Sequence, residues 1–325
     1  MRTRPNPQNL MKGVNLLIDN NRPNVPGHDS EEAFFSAKIT SFWMLVWKRF
    51  RRHKLAMFGM AVMMIMILSA VFADSFTPYS YDQVNMHYLI DGRPIPPLYD
   101  NHLFGTDNFG RCFLTRVLHG GRISMTVGLV AMSISLLIGI PLGCLAGYFG
   151  GWVDAVIMRL VEFMSAIPTM FLILIVNGMI DNPSIYPVMI IIGVFGWVGI
   201  TRQVRGQFFS LRQQEFVQAA YSMGYKDSYV IFKHILPNAL TPVIVLATMG
   251  IGGAIIFEST LSYLGMGVQE PIPSWGAMLR SGQAHLRTSP HMAVIPGTFI
   301  MIVVLAMNFI GDGLRDALDP RIAKK

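Results

Sequence analysis

EFVQAAYSMGYKDSYVIFKHILP, residues 215–237, is a polar, helix-forming insert between two long apolar runs, and its reading decides the fold. Ahead of it lies TRQVRGQFFSLRQQ with Arg202, Arg205 and Arg212, and behind it Asn238 opens the next apolar run. Phe216, Ala219, Ala220 and Met223 recur at helical spacing and predict a narrow apolar face over Glu215–Met223. Gly224 ends that helix, because glycine is free to take the left-handed conformation of a helix C-terminus. Asp227 and Ser228 offer side-chain oxygens to cap a second helix, Tyr229–Leu236, which is expected to stop at Pro237. Two short helices joined at a glycine make a rigid knob whose small Ala219-Ala220 face admits another backbone closely. The segment is either such a docking element or an ordinary connecting loop.

Composition places the chain in a membrane. Its 325 residues are 52% hydrophobic and only 14% charged, too apolar for an ordinary soluble domain. The net charge of +7 does not point to nucleic acid, since the basic residues sit beside apolar runs without a basic-aromatic patch. Cys112 is expected outside the membrane and Cys144 within a span, which argues against a disulfide between them. The first apolar run begins near Leu55, too late for the short leading region of a cleavable signal peptide.

Residues 1–40 read as a polar cytoplasmic tail. Over 41–74, SFWMLVWKRFRR predicts either a helix in the headgroup layer or a simple positive flank, followed by a first span at Leu55–Ala73 of about 28 Å. Residues 75–121 form an extramembrane excursion in which Asp107 is expected to cap a short surface helix bearing Phe109, Phe113 and Val117. That helix either meets an external partner or packs at the interface. A core of five spans follows over 122–313, with the polar loop at 202–237, and a tail over 314–325.

Span two, Ile123–Gly147, carries Gly139, Gly143 and Gly147, with Gly151 beyond, a stripe that allows close helix packing either within the chain or against a second subunit; Pro141 is a candidate kink. Span three, Ala155–Ile180, contains Arg159 and Glu162 one turn apart, read as a structural ion pair or as a transport site. Span four is expected at Tyr186–Thr201 and span five at Asn238–Tyr263, where Glu258 is either a pathway or gate group or a carboxylate at the water interface or paired with a neighbouring helix. Ser274 caps an amphipathic outer helix with Trp275, and Met292–Gly311 is span six. Six spans put both ends on one side. Assigning that side to the cytosol gives it nineteen Lys and Arg against six outside, a clear positive-inside bias.

No phosphate loop, zinc-protease motif or nucleophile elbow occurs, so the chain carries no catalytic residue, metal site or energy source that its motifs reveal. Here a resemblance supplies more. Gln218-Ala219-Ala220 with Gly224 and Leu236-Pro237 resembles the EAA docking loop of ABC importer permeases, with Gln218 in place of the usual glutamate and His234 in place of isoleucine. GTDNFGR, HILPN, ESTLSYLGMG, PSWG and GDGLRDALDPR resemble the C-type subunits of its dipeptide, oligopeptide and nickel branch, except that Cys112 replaces an aspartate after Arg111. The likeness covers about Phe42 to Ile322.

That resemblance implies an all-α polytopic membrane protein with six transmembrane helices and the type I ABC importer permease fold, in a bacterial or archaeal plasma membrane. It implies docking by Glu215, Gln218, Ala219, Ala220, Gly224, Ile235, Leu236 and Pro237 onto an ATPase. The family's assembly has a second homologous permease subunit, two ATPases that bind ATP and Mg, and an extracytoplasmic substrate-binding protein; it brings no cofactor to this chain. The substrate is a di- or oligopeptide, or alternatively a nickel or metal chelate. Two other classes stand against this: a self-powered secondary transporter, which needs intramembrane ionisable groups and usually a repeat, and a membrane enzyme.

Overall fold

The computed structural model describes residues 42–100, 102–179 and 185–319; the tail read at 1–40, residues 180–184 between the third and fourth expected spans, and residues 320–325 lie outside them. The chain divides into two compact units, 1–45 and 46–325, and of the first only the opening residues of a helix, Phe42–Phe50 (α1), are described. The described residues of the second unit are mostly helical; residues 72–112 hold one-turn helices and a two-residue antiparallel ladder, Leu89–Ile90 with Arg93–Pro94.

Lys54–Val71 (α2) begins at His53, whose Nδ1 accepts from the Ala56 amide at 3.1 Å. It is apolar all round and buries only Ala56, Gly59, Met66 and Ala70, as suits a helix that shows most of its surface to lipid. Phe113–Phe149 (α3) is a single helix of 37 residues, about 55 Å long. The separate surface helix expected before span two is therefore its first turns. Asp107 does not cap it: Cys112 stands at the N-cap, and the Asp107 carboxylate accepts instead from the amides of Phe109 and Arg111, closing a turn four residues earlier.

The expected third span is broken. Gly151–Ala166 (α4) and Thr169–Gly178 (α5) meet at a bend of 80°. Pro168 has no amide to donate and pushes Ile167 into extended backbone (φ −94°, ψ 125°), so the helix cannot run through. Ile185–Arg212 (α6) extends eleven residues past its expected end at Thr201, because Arg202, Arg205 and Arg212 stay in the helical pattern once beyond the apolar run. Glu215–Ser222 (α7) is followed by the turn Asp227–Tyr229, a π turn Val230–Ile235, and Leu236–Tyr263 (α8). Trp275–Gln283 (α9) starts at Ser274, whose Oγ accepts from the Ala277 amide at 3.2 Å, and His291–Leu318 (α10) ends the described chain. Five of these helices are long and apolar enough to cross a membrane, and the bent pair makes a sixth.

The glycine stripe of α3 lies against α6, inside the chain. A Cβ placed on Gly139, Gly143 or Gly147 would fall 2.8, 2.6 and 2.5 Å from the Cβ of Ile200, Val204 and Phe208 respectively. Gly151 is not part of that stripe; with Gly150 it turns the chain into α4. Thr201 Oγ1 donates to the Gly139 carbonyl at 3.2 Å and Ser135 Oγ to that of Gly193 at 2.8 Å, the inter-helix hydrogen bonds that close approach permits.

Candidate functional site

The segment after α6 is anchored by its own polar groups. Arg212 Nη1 donates to the Tyr148 carbonyl at 2.7 Å, placing a cation at the C-terminal end of α3 where the helix dipole favours it. Gln218 Nε2 donates to the Arg212 carbonyl at 3.0 Å and closes the turn between α6 and α7, so the residue that departs from the family's glutamate makes a contact within the chain. On α7 the buried residues are Val217 and Ala220, while Phe216, Ala219 and Met223 point outward. Of the apolar face predicted for this helix, Phe216, Ala219 and Met223 stand open and Ala220 turns in; Val217, outside that face, joins it against the core of Tyr148, Val204, Phe208, Val230 and Ile235.

Gly224 adopts φ +78°, and the amides of Gly224 and Tyr225 donate to the carbonyls of Tyr221 and Ala220, a paired C-terminal closure that needs the left-handed residue. Asp227 caps nothing. The N-cap is Lys226 without a side-chain bond, and Asp227 Oδ1 accepts from Tyr148 Oη at 2.6 Å; Tyr221 Oη donates in turn to Tyr148 Oη at 2.8 Å. Nor does the second helix stop at Pro237. The π turn carries the chain straight into α8, and the proline falls in the first turn of that helix, where its missing amide removes no regular bond.

Outward from this scaffold point Phe216, Met223 (66% exposed), Phe232 (68%), Tyr225 and Tyr229, the two tyrosine rings stacked at 4.6 Å. Of the residues tied to docking by sequence, Glu215, Gln218, Ala219, Gly224 and Pro237 share this exposure, Leu236 is half-buried, and Ala220 and Ile235 are fully buried beneath it. A polar cleft of about 380 Å³ lies beside them, lined by Tyr148, Phe149, Arg212, Gln218, Tyr221 and Asp227.

At the other end of α3 two buried arginines and a buried acid meet a half-exposed one. Arg111 Nε lies 2.6 Å from Asp107 Oδ2 and its Nη1 2.7 Å from Glu270 Oε2; Arg116 Nη2 reaches Glu270 Oε1 at 2.9 Å and its Nε lies 3.4 Å from Asp107. Two acids and two arginines balance. Burial pushes the Glu270 carboxyl up, but the hydrogen bonds and charges of the two arginines outweigh it and hold it below its ordinary value. Sequence reading missed Arg116 and Glu270; the available signal was an arginine inside an apolar run with an unpaired acid far along the chain.

Between the ends, α3, α5, α6 and α8 enclose a cavity of about 320 Å³ whose wall is mostly apolar and small, including Ser135, Gly196, Gly199, Gly250, Gly253 and Phe257. Glu258 is not among its lining residues and is not at a water interface. Its carboxylate is fully buried and accepts from Ser262 Oγ at 2.7 Å, Ser124 Oγ at 3.0 Å and Ser259 Oγ at 3.4 Å, and the Trp275 amide donates to Ser124 Oγ. Arg159 and Glu162 do pair, at 3.0 Å, on an exposed side of α4. Among the described residues no three His, Cys, Asp or Glu side chains gather where they could hold a metal ion.

Residues 139–324 match the family described as the binding-protein-dependent transport system inner membrane component. The chain belongs to that family. Residues 41–97 also match the N-terminal transmembrane domain of oligopeptide transport permease C. Relatives within this binding-protein-dependent family include the dipeptide transport system permease protein DppC of Alkalihalophilus pseudofirmus, 40% identical over 86% of this chain and 90% of its own length. The oligopeptide transport system permease protein OppC of Haemophilus influenzae is 40% identical over 86% and 89%, and the glutathione transport system permease protein GsiD of Escherichia coli 40% over 88% and 92%. In fold the chain resembles a subunit of the MetNI methionine ABC transporter in an inward-facing form, with a TM-score of 0.52 and 17% identity over 62% of this chain and 96% of that one. The all-α, multi-span architecture is thus the type I ABC importer permease fold that the docking-loop motif implied.

Proposed function

We propose that this permease subunit forms half of a pathway for di- or oligopeptides and is driven by ATPases that dock on the 215–237 segment. The carrying observation is the exposed apolar face of that segment: Phe216, Met223, Tyr225, Tyr229 and Phe232 stand in the open over a core of fully buried Val217, Ala220, Val230 and Ile235. An exposed apolar patch on a rigid base, beyond the spans and flanked by arginines, marks a protein partner's site. Gly224 and the paired closure at it keep the two halves in fixed relation, so the segment moves as one lever.

The side bearing the segment is the cytosol, with both chain ends, as the distribution of Lys and Arg supports. The opposite loops meet an extracytoplasmic substrate-binding protein, and a second homologous permease completes the pathway. The chain itself is non-catalytic; ATP and Mg belong to the two partner ATPases. The 320 Å³ cavity supplies this subunit's share of the pathway, with glycines and Ser135 exposing backbone and hydroxyl groups to a peptide. Peptide as substrate is supported by the names of the dipeptide, oligopeptide and glutathione relatives. Transport proceeds by a rigid-body switch between inward- and outward-facing states, biased by nucleotide on one side and loaded binding protein on the other.

The test is purification of tagged chain from native membranes in mild detergent. Recovery of two ATPases and a second permease, and ATP-dependent uptake of a labelled dipeptide by the reconstituted complex, are the expected results. Recovery of the chain alone, where other membrane complexes survive, together with uptake that needs no ATP, refutes the reading.

A further inference from the structure

We propose that Tyr148 is the positioning residue through which the 215–237 segment moves α3, and that the Tyr148–Asp227 hydrogen bond is a transmission clamp. The proposal rests on the docking reading of that segment. Three routes lead from the segment into the spans. Backward, it joins α6 through Gln213 and Gln214. Forward, it enters α8 through the π turn, where the α-type ladder is interrupted. Sideways, it is bonded to the last turn of α3, a helix to which it is not adjacent in sequence.

That sideways grip is short and directional. Tyr148 is buried, one residue before the end of α3. Its hydroxyl donates to Asp227 Oδ1 at 2.6 Å and accepts from Tyr221 Oη at 2.8 Å, and its carbonyl accepts from Arg212 Nη1 at 2.7 Å. Residues from α6, α7 and the turn after Gly224 thus converge on one tyrosine. A hydrogen bond with a charged partner is about twice as strong as a neutral one, so the links to Asp227 and Arg212 are stiffer than that to Tyr221, and of the two only the Asp227 link is made by the tyrosine side chain. The far end of α3 is gripped as well: Arg116 binds Glu270, and Trp275 Nε1 donates to the Val117 carbonyl at 3.0 Å. An unbroken helix held at both ends carries a displacement of the segment about 55 Å to the loops on the opposite side.

The experiment uses the full complex in nanodiscs, with Tyr148→Phe, which keeps the ring and loses the donor, and Asp227→Asn, which keeps an acceptor. Three quantities are read: ATPase retained, ATP hydrolysed, and labelled dipeptide moved per ATP. We expect Tyr148→Phe to retain the ATPases and to move about tenfold less peptide per ATP, the worth of a hydrogen bond to a charged group, and Asp227→Asn to stay within about threefold of wild type. Unchanged transport per ATP in Tyr148→Phe overturns the clamp. Loss of the ATPases from that variant also overturns it, since Tyr148 then serves docking alone.

A second readout is independent of transport. Spin labels at Met223→Cys and Phe149→Cys, with Cys112 and Cys144 replaced by alanine, report the distance between segment and α3. A narrow distribution in wild type and Asp227→Asn that broadens in Tyr148→Phe supports the clamp. A broad one in wild type refutes it, whatever docks there. A narrow distribution in a chain that never recovers an ATPase overturns the docking reading instead, and with it transmission through Tyr148.

Discussion

The two ends of α3 solve opposite problems. At the Asp107 end, two arginines that are 2% and 6% exposed lie against two acids, each charge answered within the chain. At the Tyr148 end the buried groups are mostly apolar and the exposed ones include Met223 and Phe232. A charge network whose arginines are buried and answered within the chain needs no partner and holds loops from distant parts of the sequence in register. An apolar surface left in the open is unsatisfied from inside. The difference separates a part whose charges are answered within the chain from a part whose apolar side chains stay in the open.

The largest effect should come from unbalancing the charged end. Glu270→Ala leaves Arg111 and Arg116 facing each other with only Asp107 between them, and should cost about 3 kcal/mol or more, because a lone buried charge loses its compensation. Thermal unfolding in detergent reads this; a shift in midpoint no larger than for a surface control would mean that the network is not what holds the loops. Next, Gly143→Leu drives a side chain into Val204 and the Thr201 carbonyl, and should cost about 1–3 kcal/mol by the same assay as α3 and α6 separate.

Smaller in stability, but decisive for the other end, is Gly224→Val. No atom lies within 4 Å of the added Cβ, so the cost of about 1–2 kcal/mol comes from φ +78° alone. The chain should fold, while uptake falls because the two halves of the lever lose their relation. Intact uptake and ATPase recovery would remove the lever assignment. Phe232→Ser should change stability by less than about 0.5 kcal/mol, as for an exposed site, and still reduce the ATPase recovered with the chain. Equal recovery would put the docking face elsewhere.

Acid sharpens the same contrast. The Glu270 carboxyl is held below its ordinary value near 4.5, so it binds fewer protons folded than unfolded. Its contribution is complete above the ordinary carboxylate range and is lost as the pH falls through the lowered folded value. Unfolding midpoints of wild type should therefore drop on acidification below pH 4.5 more steeply than those of Glu270→Gln, whose amide cannot titrate. Parallel curves would show that Glu270 does not couple to folding.

The number and rough place of the spans were legible because hydrophobic length against bilayer thickness is a local property, and the positive cluster at Lys48–Lys54 is one too. Gly224 as a helix end was legible for the same reason: a left-handed residue is demanded by its own backbone. The break at Pro168 was written in the sequence, inside a run long and apolar enough to read as one span. What α7 buries was not legible, since Phe216, Ala219 and Met223 repeat as regularly as Val217 and Ala220.

Still less legible was the fate of the polar side chains. Asp107 and Asp227 both stand where a cap is expected, yet one closes a turn on Arg111 and the other receives Tyr148 from 79 residues away. Glu258, read as a pathway group, an acid near water or one paired with a neighbouring helix, lies dry among serines of α3 and α8. The sequence by itself determined an all-helical membrane chain, its family and the place of the polar 215–237 segment, because helix length, periodicity and motif are carried by neighbouring residues. Only the tertiary structure decided which face of that segment is free, that the glycine stripe is spent inside the chain, and which partner each buried charge or hydroxyl finds. Those partners come from far along the sequence, and a hydrogen bond is fixed by distance in space rather than by distance along the chain.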